Sequence, residues 1–415
     1  MIIPSIDLSG GKVVQWRQGR EPILERRDAE ALARRFGRYG EVALIDLDAA
    51  VGGGENTELI RRLCALTPCR VGGGIRTVEA GRQMLKFGAR RIIISTKATP
   101  DFLSSFPRSQ VMAAVDVKGT EVVDHGWQRV IESSPGERIS ALAPYVSGFV
   151  YTMVDREGTL QGADMERFRG IAQLSDLPIT VAGGVTTVEE VAELDKLGLD
   201  CQVGMAIYTE RMALTDAFVQ CIDFEKGAGV VPALVSDSAG RIRMQGWMNH
   251  EALKSTLDCG SVHFWSRTRK CIWRKGDKSG NVLEVRTVRA DCDRDSIHVI
   301  ADPRGPTCHT GRLSCFGDDA FALGDLESVL LDRVQRPFEG SWTSRLAHEP
   351  ELLRAKLLEE AAELAAAVGE DEIAHEAGDL LYHTMALLAV RGVSWSRVLS
   401  ELNARQEPQA RRATP

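Results

Sequence analysis

The residues best suited to chemistry in this sequence are acidic and sulfur-containing side chains between residues 291 and 315. Three carboxylates alternate along the segment DCDRD, namely Asp291, Asp293 and Asp295. On an extended strand they would share one face, with Cys292 on the other. Carboxylates suit Mg²⁺ and thiolates suit Zn²⁺. Cys308 and Cys315 could join Cys292 around zinc, leaving the fourth position for a water that His309 could deprotonate. The alternative is a chance cluster.

A second set of carboxylates lies in two segments with helical spacing. Glu359 and Glu363 are one helical turn apart, with Glu360 beside them. Glu376 and Asp379 are spaced by three residues in the otherwise apolar stretch EAGDLLYHTMALL. Acidic residues on helices are usually solvated surface, but this apolar context favours an inward-facing Mg²⁺ cage.

Glycine-rich turns follow predicted strands in the first half of the sequence, where backbone N–H groups could hold phosphate. The first group comprises Gly73, Gly74, Arg76, Ser95 and Thr96, and the second comprises Gly183, Gly184 and Gly204. Two such groups imply a long substrate with a phosphate at each end. Taken alone, each glycine cluster is more often a plain tight turn.

Asp7 and Asp116 end equivalent predicted strands, so they would face each other across one site. Acid–base work on a sugar needs such a pair, because one group protonates a ring oxygen while another removes a carbon-bound proton. A strand-end turn role explains either aspartate singly but not their symmetry.

The elements that must position these residues fall into three segments. Residues 1–226 alternate β-rich runs with amphipathic helical stretches, which predicts a parallel sheet. An offset of roughly 110 residues relates IDLDAAVGG to VDREGTLQG, Asp7 to Asp116 and Gly73 to Gly183. A repeat of half the segment length predicts a (β/α)8 TIM barrel rather than an open doubly wound sheet. Residues 227–318 predict a small α+β metal-binding domain, and residues 319–407 an all-α helical bundle.

Composition excludes several classes of protein. The net charge of −7 over 415 residues argues against nucleic-acid binding. The sequence shows no secretory signal and no membrane span, so a cytoplasmic location is expected. Nine scattered cysteines do not suit a disulfide framework, and the six outside the metal candidates are predicted to fill the core.

The stretches MIIPSIDL, GGGIR, YTMVDREGT and the pair Gly126-Trp127 resemble the phosphoribosylformimino-aminoimidazole-carboxamide ribotide isomerase family. That family converts an aminoaldose to an aminoketose without metal or cofactor. The resemblance implies that Asp7 is the general base, that Asp116 and Thr152 line the site, and that Trp127 stacks on the imidazole. The sequence departs from the family pattern in having Gln15 for arginine, Glu157 for the aspartic acid that acts as the acid, and Met205 for arginine.

The stretches GWMNHEAL, VHFWSRTRKCIWRKGDKSGN and CHTGRLSCF are very similar to phosphoribosyl-AMP cyclohydrolase, over residues 229–317. The resemblance implies Zn²⁺ and Mg²⁺, hydrolysis of the six-membered adenine ring, and substrate contacts from Lys275 and Ser279. It also implies a homodimer, because the family shares its first cysteine across one. Asp277 departs from the usual glutamate.

The stretches KLLEEAAELA and HEAGDLLYH resemble phosphoribosyl-ATP pyrophosphohydrolase, over residues 326–405. The resemblance implies Mg²⁺ on the carboxylates and places Arg345, Lys356 and His383 against a polyphosphate. The three families catalyse consecutive steps of histidine biosynthesis, acting on phosphorylated small molecules. Two alternatives remain for the barrel: a non-catalytic scaffold or regulatory module, and the related imidazole-glycerol-phosphate cyclase.

Overall fold

The computed structural model describes residues 1–19, 21–317 and 321–406, and they form two compact units. The first unit contains residues Met1–Val235 and Arg243–Cys315, and the second contains Ser236–Ile242 and Phe316–Gln406. Residues 318, 319 and 407, which bound the predicted domains, lie outside the described residues. The boundary at 226 and 227 falls inside the first unit and stays a prediction.

Twelve strands form the sheet of the N-terminal domain: β1 (Ile2–Ser9), β2 (Lys12–Arg17), β3 (Glu21–Arg26), β4 (Val42–Asp46), β5 (Cys69–Gly72), β6 (Arg91–Ile94), β7 (Val111–Lys118), β8 (Glu121–Asp124), β9 (Arg129–Ile131), β10 (Phe149–Met153), β11 (Ile179–Ala182) and β12 (Leu199–Val203). Eight of them pair in parallel in the closed order β1, β4, β5, β6, β7, β10, β11, β12 and back to β1. Strands β5, β10 and β11 are buried throughout, as expected for parallel strands covered on both faces. The predicted TIM barrel is confirmed.

The helices of this domain are α1 (Ala29–Gly37), α2 (Leu47–Val51), α3 (Thr57–Cys64), α4 (Val78–Lys86), α5 (Pro100–Leu103), α6 (Pro135–Leu142), α7 (Met165–Ile171), α8 (Val188–Lys196), α9 (Met205–Tyr208) and α10 (Leu214–Gln220). Short 3-10 turns lie at Arg108–Gln110, Ala143–Tyr145 and Val154–Arg156.

The two halves of the barrel repeat one another in detail. The antiparallel strands β2 and β3 extend β1, and β8 and β9 extend β7 in the same way. Helices α4 and α8 begin alike, because the hydroxyls of Thr77 and Thr187 each accept a hydrogen bond from the backbone N–H three residues later. The sequence repeat therefore corresponds to a structural repeat.

The middle domain is a four-stranded sheet in the order β14, β13, β18, β17, with a separate hairpin of β15 and β16. Its elements are β13 (Val231–Ser236), β14 (Ile242–Met248), α11 (His250–Cys259), β15 (His263–Ser266), β16 (Cys271–Arg274), β17 (Leu283–Ala290) and β18 (Ile297–Pro303). The predicted small domain with both strands and a helix is confirmed. The domain also packs on the barrel within the first unit, where Tyr39, Thr215 and Asp258 form a hydrogen-bonded chain.

The six cysteines predicted to fill the core divide into two groups. Four are buried, namely Cys64, Cys69, Cys201 and Cys221. Cys259 and Cys271 are exposed, so the prediction is wrong for these two. Cys259 is the last residue of α11 and Cys271 the first of β16, so each lies at the end of its element.

The second unit is helical, as predicted. Its helices are α12 (Leu323–Gln335), α13 (Trp342–His348), α14 (Pro350–Ala366), α15 (Glu370–Val390) and α16 (Trp395–Gln406). Leu330, Leu346, Leu353 and Met385 form the centre of its core. No described helix in either unit has the length and apolar character required to cross a bilayer.

Candidate active sites

A cavity of about 240 Å³ lies at the carboxyl ends of the barrel strands, the face that carries active sites in this fold. Ten residues singled out from the sequence line it: Asp7, Gly73, Gly74, Arg76, Ser95, Thr96, Asp116, Trp127, Thr152 and Glu157. These residues come together because the parallel strands of the closed barrel all end at the same rim, although the residues are far apart in sequence. The first glycine group and the predicted carboxylates therefore share one cavity.

The second glycine group is placed differently. Among the described residues that line the cavity, Gly183, Gly184 and Gly204 are absent, although the adjacent Ala182 is present. Only the first of the two glycine groups that were predicted to bind phosphate therefore lines the cavity directly.

Gly73 and Gly183 nevertheless occupy equivalent, crowded positions. Their φ angles are +94° and +92°. A Cβ atom would lie 2.2 Å from the carbonyl oxygen of Asp46 at Gly73, and 2.4 Å from that of Met153 at Gly183. Asp46 and Met153 are the last residues of β4 and β10, the strands next to the two turns. Only glycine fits both the conformation and the space, whether or not phosphate binds there.

The Asp7 carboxylate is held by two side chains. Ser5 Oγ donates to one of its oxygens at 2.7 Å, and Gln15 Nε2 donates to the other at 3.1 Å. Burial raises the pKa of Asp7 to about 6, and these hydrogen bonds oppose the rise. Asp7 is consequently ionised at neutral pH but basic enough to accept a proton. Gln15, a departure from the family pattern, thus contacts the predicted base.

Asp116 sits in a comparable environment in the second half of the barrel. Ser95 Oγ donates to its carboxylate at 3.1 Å. Burial raises the pKa of Asp116, while hydrogen bonds from Thr152, Ser95 and Trp127 lower it. Thr152 and Trp127 therefore serve this carboxylate as well as lining the cavity.

Glu157 completes a set of three carboxyl groups in the cavity. Burial raises its pKa to about 7, and the negative charges of Asp7 and Asp116 add to the rise. A carboxyl group with this pKa is substantially protonated near neutrality and can donate a proton. The cavity thus holds one group suited to be a base beside one suited to be an acid.

Three contributors to this site were not identified from the sequence. Ser5 orients Asp7, and Trp16 and Gln202 line the cavity. The Oε1 atom of Gln202 is buried and has no hydrogen-bond partner in the described part of the chain. The available signal was a glutamine between Cys201 and Val203 in strand β12, because polar side chains inside a sheet need a partner.

In the middle domain, the segment DCDRD is a turn and not a strand. Strand β17 ends at Ala290 and β18 begins at Ile297. Arg294 adopts φ +64°, and the Asp291 N–H donates to the Ser296 carbonyl oxygen at 3.1 Å. The expected alternation of faces is therefore wrong, because a left-handed residue interrupts the extended backbone. The turn still gathers three carboxylate oxygens within 4.8 Å of one another, those of Asp291, Asp293 and Asp295.

A lysine already lies against this acidic turn. Lys226 Nζ is 2.9 Å from Asp293 Oδ2 and 3.6 Å from Asp295 Oδ2. The hydrogen bond from Lys226 is the main reason why the pKa of Asp293 lies below its ordinary value. The three carboxylates therefore form a negatively charged site that binds the Lys226 ammonium.

Two of the three predicted zinc thiols are neighbours. Thr310 Oγ1 donates to Cys308 Sγ at 3.1 Å, which contributes most to lowering the pKa of the Cys308 thiol. Burial and the adjacent Cys308 raise the pKa of Cys315. Cys292 is elsewhere, 3.9 Å from Asp293 Oδ1. In the described residues of one chain, these three sulfur atoms do not form a group within 4.8 Å.

The other predicted residues of this domain lie around the thiols to different extents. His309 Nδ1 is 3.8 Å from Cys308 Sγ. Burial lowers the pKa of Lys275, and the two nearby thiols oppose that effect, which places the ammonium beside them. Ser279 accepts a hydrogen bond from the Asn281 N–H at 3.3 Å in the adjoining turn.

In the helical unit, three of the five predicted carboxylates converge. Glu360, Glu363 and Glu376 each offer an oxygen within 4.8 Å of the other two. Glu359 and Asp379 are not in this group, and their side chains are 48% and 47% exposed. Glu360 is buried, and that burial raises its pKa. Helical spacing allowed all five to face inward, but packing buries only Glu360 of the group, leaving Glu376 half-buried and Glu363 exposed.

The residues predicted to face the polyphosphate also differ in placement. His383 Nδ1 lies 3.7 Å from Glu360, and its buried Nε2 has no partner among the described residues. Lys356 lies 2.8 Å from Glu359 and 3.9 Å from Glu360. Arg345 is paired instead with Glu349, at 2.9 Å.

Three family models match consecutive parts of the sequence. The one described as histidine biosynthesis protein matches residues 1–213. Those described as phosphoribosyl-AMP cyclohydrolase and phosphoribosyl-ATP pyrophosphohydrolase match residues 244–317 and 323–406.

Curated relatives are similar over about half of the chain. The histidine biosynthesis bifunctional protein HisIE of Escherichia coli (strain K12) is 41% identical over 202 residues, which cover 47% of this chain and 100% of that protein. HisIE of Photobacterium profundum is 41% identical over 203 residues, covering 46% and 98%. HisIE of Pyrococcus furiosus is 36% identical over 206 residues, covering 46% and 99%.

Proposed function

The chain belongs to the histidine biosynthesis protein family, and on that basis we propose that it is one polypeptide that performs three consecutive steps of that biosynthesis. The helical unit removes pyrophosphate from phosphoribosyl-ATP, and the middle domain opens the adenine ring of phosphoribosyl-AMP. The barrel isomerises the resulting aminoaldose to an aminoketose. The observation that carries the isomerase step is that Asp7, mostly ionised, and Glu157, partly protonated, line one cavity near neutral pH.

For pyrophosphate removal, Glu360, Glu363 and Glu376 would hold Mg²⁺. The donor set fits, because hard carboxylate oxygens lie close together and the nearby His383 Nε2 lacks a partner in the described residues. Bound Mg²⁺ would neutralise charge on the polyphosphate as the α–β bond breaks. Lys356, at the edge of the cluster, adds a positive charge for the same phosphates.

For ring opening, two kinds of donor fit two metals. The three aspartates suit Mg²⁺, and the Lys226 ammonium, 2.9 Å from Asp293, supports a site for positive charge there. Cys308 and Cys315 suit Zn²⁺, with Cys292 supplied by a second copy in a homodimer, since of the three candidate thiols only Cys308 and Cys315 are neighbours in the described part of one chain. Zinc would supply an acidified water. His309 would accept the proton of that water, and Lys275 and Ser279 would contact the substrate.

For isomerisation, the barrel needs neither metal nor cofactor. Glu157 donates a proton to the sugar ring oxygen as the bond from that oxygen to C1 breaks and the attached nitrogen forms a double bond to C1. Asp7 then removes the proton from C2, and the resulting enol takes up a proton at C1 to give the aminoketose. Asp116 and Thr152 hold the reacting sugar, and Trp127 stacks on the imidazole. The glycine group on the cavity wall, with Gly73 and Gly74, binds one terminal phosphate. The second group begins directly after the cavity-lining Ala182 and would bind the other phosphate, so that the sugar is fixed between the two carboxyl groups.

Three variants test this assignment, each assayed separately on the three substrates. Asp7→Asn should remove isomerisation, Cys308→Ala ring opening, and Glu360→Gln pyrophosphate release, with the other two steps retained. If Asp7→Asn leaves isomerisation at the wild-type rate, the barrel has another role, such as that of a scaffold. Glu157→Asp restores the family residue and should speed isomerisation, because the extra methylene of glutamate displaces the acid by about 1 Å.

A further inference from the structure

The acidic turn of the middle domain is tied to the barrel through Arg294. The guanidinium of Arg294 pairs bidentately with Asp195 on α8, with Nε and Nη2 each 2.9 Å from a carboxylate oxygen. The remaining nitrogen, Nη1, donates to the carbonyl oxygen of Asp291 at 2.7 Å. The Asp195 side chain is only 6% exposed, so the pair is shielded from competing water. One side chain thus links a barrel helix to the first residue of the turn.

The backbone of Arg294 needs outside support. Its φ of +64° is a conformation that residues with a side chain rarely adopt and that persists only when contacts enforce it. The Arg294 carbonyl oxygen accepts a hydrogen bond from the N–H of Asp223 at 2.8 Å. Asp223 lies just after α10, in the segment that leaves the barrel. The barrel side therefore holds both the backbone and the side chain of this residue.

The same segment also supplies a cation to the turn. Lys226 Nζ donates to the Asp293 carbonyl oxygen at 3.1 Å as well as to its carboxylate at 2.9 Å. Its side chain is 44% exposed, so it can leave without disturbing the fold. Lys226 therefore competes with a metal ion for the carboxylates, whereas Arg294 contacts no carboxylate of the turn in these hydrogen bonds.

We propose that Arg294 is a positioning residue for the cyclohydrolase step, through which the barrel holds the acidic turn in its metal-binding conformation. The inference rests on the proposed function of the middle domain. Three carboxylates within 4.8 Å repel one another, so an unanchored turn would spread and have to be gathered again when Mg²⁺ binds. The Arg294–Asp195 pair forms on folding and holds the three carboxylates together before Mg²⁺ binds, so the free energy of bringing them together does not weaken Mg²⁺ binding. The neighbouring barrel thereby preorganises the metal site.

The test measures the Mg²⁺ dependence of ring opening and the amide hydrogen exchange of residues 291–296 in the full-length protein. Arg294→Met should raise the Mg²⁺ concentration for half-maximal activity about tenfold and accelerate exchange, with a smaller effect on the rate at saturating Mg²⁺. Arg294→Lys should recover part of the loss, because lysine keeps the positive charge beside Asp195. The recovery should be incomplete, because lysine cannot form the bidentate pair. Lys226→Met should act in the opposite direction and lower the Mg²⁺ requirement.

Arg286→Met is the matched control. Arg286 pairs with Asp302 across the same hairpin of β17 and β18 without involving the barrel. In Arg286→Met, the Mg²⁺ concentration for half-maximal activity and the amide hydrogen exchange of residues 291–296 should stay at wild-type values. Asp195→Asn removes the same pair, and it also removes the 2.6 Å contact between Asp195 and the Met1 amino group, so its effect should be at least that of Arg294→Met. The double variant should be no worse than Asp195→Asn alone, since Arg294 then has no pair left to lose.

A wild-type Mg²⁺ requirement and wild-type exchange in Arg294→Met would overturn the proposal. So would an equal effect of Arg286→Met, because the change would then reflect loss of any surface pair. If the wild-type protein does not open the ring of phosphoribosyl-AMP, the proposed function fails instead. The exchange rates of Arg294→Met and Arg286→Met still decide in that case whether the barrel holds the turn.

Discussion

Replacing Gly73 by alanine tests the proposed phosphate turn of the barrel. The new Cβ would lie 2.2 Å from the Asp46 carbonyl oxygen and 2.7 Å from the Asp46 nitrogen, whereas ordinary contacts begin at 3.4 Å. Both atoms belong to the backbone of β4, so the turn itself must move by about 1 Å. A displacement of this size in a substrate-positioning group costs roughly a hundredfold in kcat/KM.

The stability cost of Gly73→Ala follows from the same geometry. The left-handed conformation, φ +94°, costs alanine roughly 1–2 kcal/mol, and forcing an atom into packed backbone roughly 1–3 kcal/mol more. The control is Gly198→Ala, where φ is +76° and nothing lies within 4 Å of the added Cβ. The free energy of unfolding of Gly198→Ala should therefore fall only by the cost of the left-handed conformation, and this variant should isomerise at the wild-type rate.

Isomerase kinetics with purified aminoaldose substrate and denaturant unfolding of both variants measure these effects. Ring opening and pyrophosphate release serve as internal controls at a temperature where both variants are folded. If Gly73→Ala keeps a kcat/KM within about threefold of that of Gly198→Ala, the turn does not position the substrate, and the phosphate assignment is refuted.

Three further predictions concern the three proposed active sites. Isomerase kcat/KM should peak between about pH 6 and 7, rising as Asp7 ionises and falling as Glu157 loses its proton; a flat profile from about pH 5 to 8 would exclude these roles. Glu360→Gln should abolish pyrophosphate release while Glu359→Gln, which changes an exposed neighbour, retains most of it; equal losses would contradict the three-carboxylate cluster. Cys308→Ala should lose zinc by elemental analysis, and an unchanged zinc content would remove that thiol from the metal site.

The barrel was predictable because its evidence is a repeat. Asp7 with Asp116 and Gly73 with Gly183 share nearly the same spacing, and two equal halves imply a closed ring of strands. The spacing also predicted that carboxylates would meet at one end, since parallel strands end at the same rim. Periodic information of this kind survives in a single sequence.

The acidic turn was harder to predict because its shape depends on distant residues. Alternating aspartates suggested a strand, but Arg294 takes a left-handed conformation that the barrel residues Asp195 and Asp223 support. Such contacts span 99 residues in one case and leave no local pattern. The roles of Glu359 and Glu360 were inseparable for a related reason, because helical spacing allows both while tertiary packing buries only one.

The most direct test of the whole account is to incubate the purified full-length protein with phosphoribosyl-ATP, Mg²⁺ and Zn²⁺ and to identify the final product by chromatography and mass spectrometry. If one chain performs all three steps, pyrophosphate is released and the aminoketose ribotide accumulates. Accumulation of the ring-opened aminoaldose, with no aminoketose, would contradict the account, because the barrel would then contribute no chemistry.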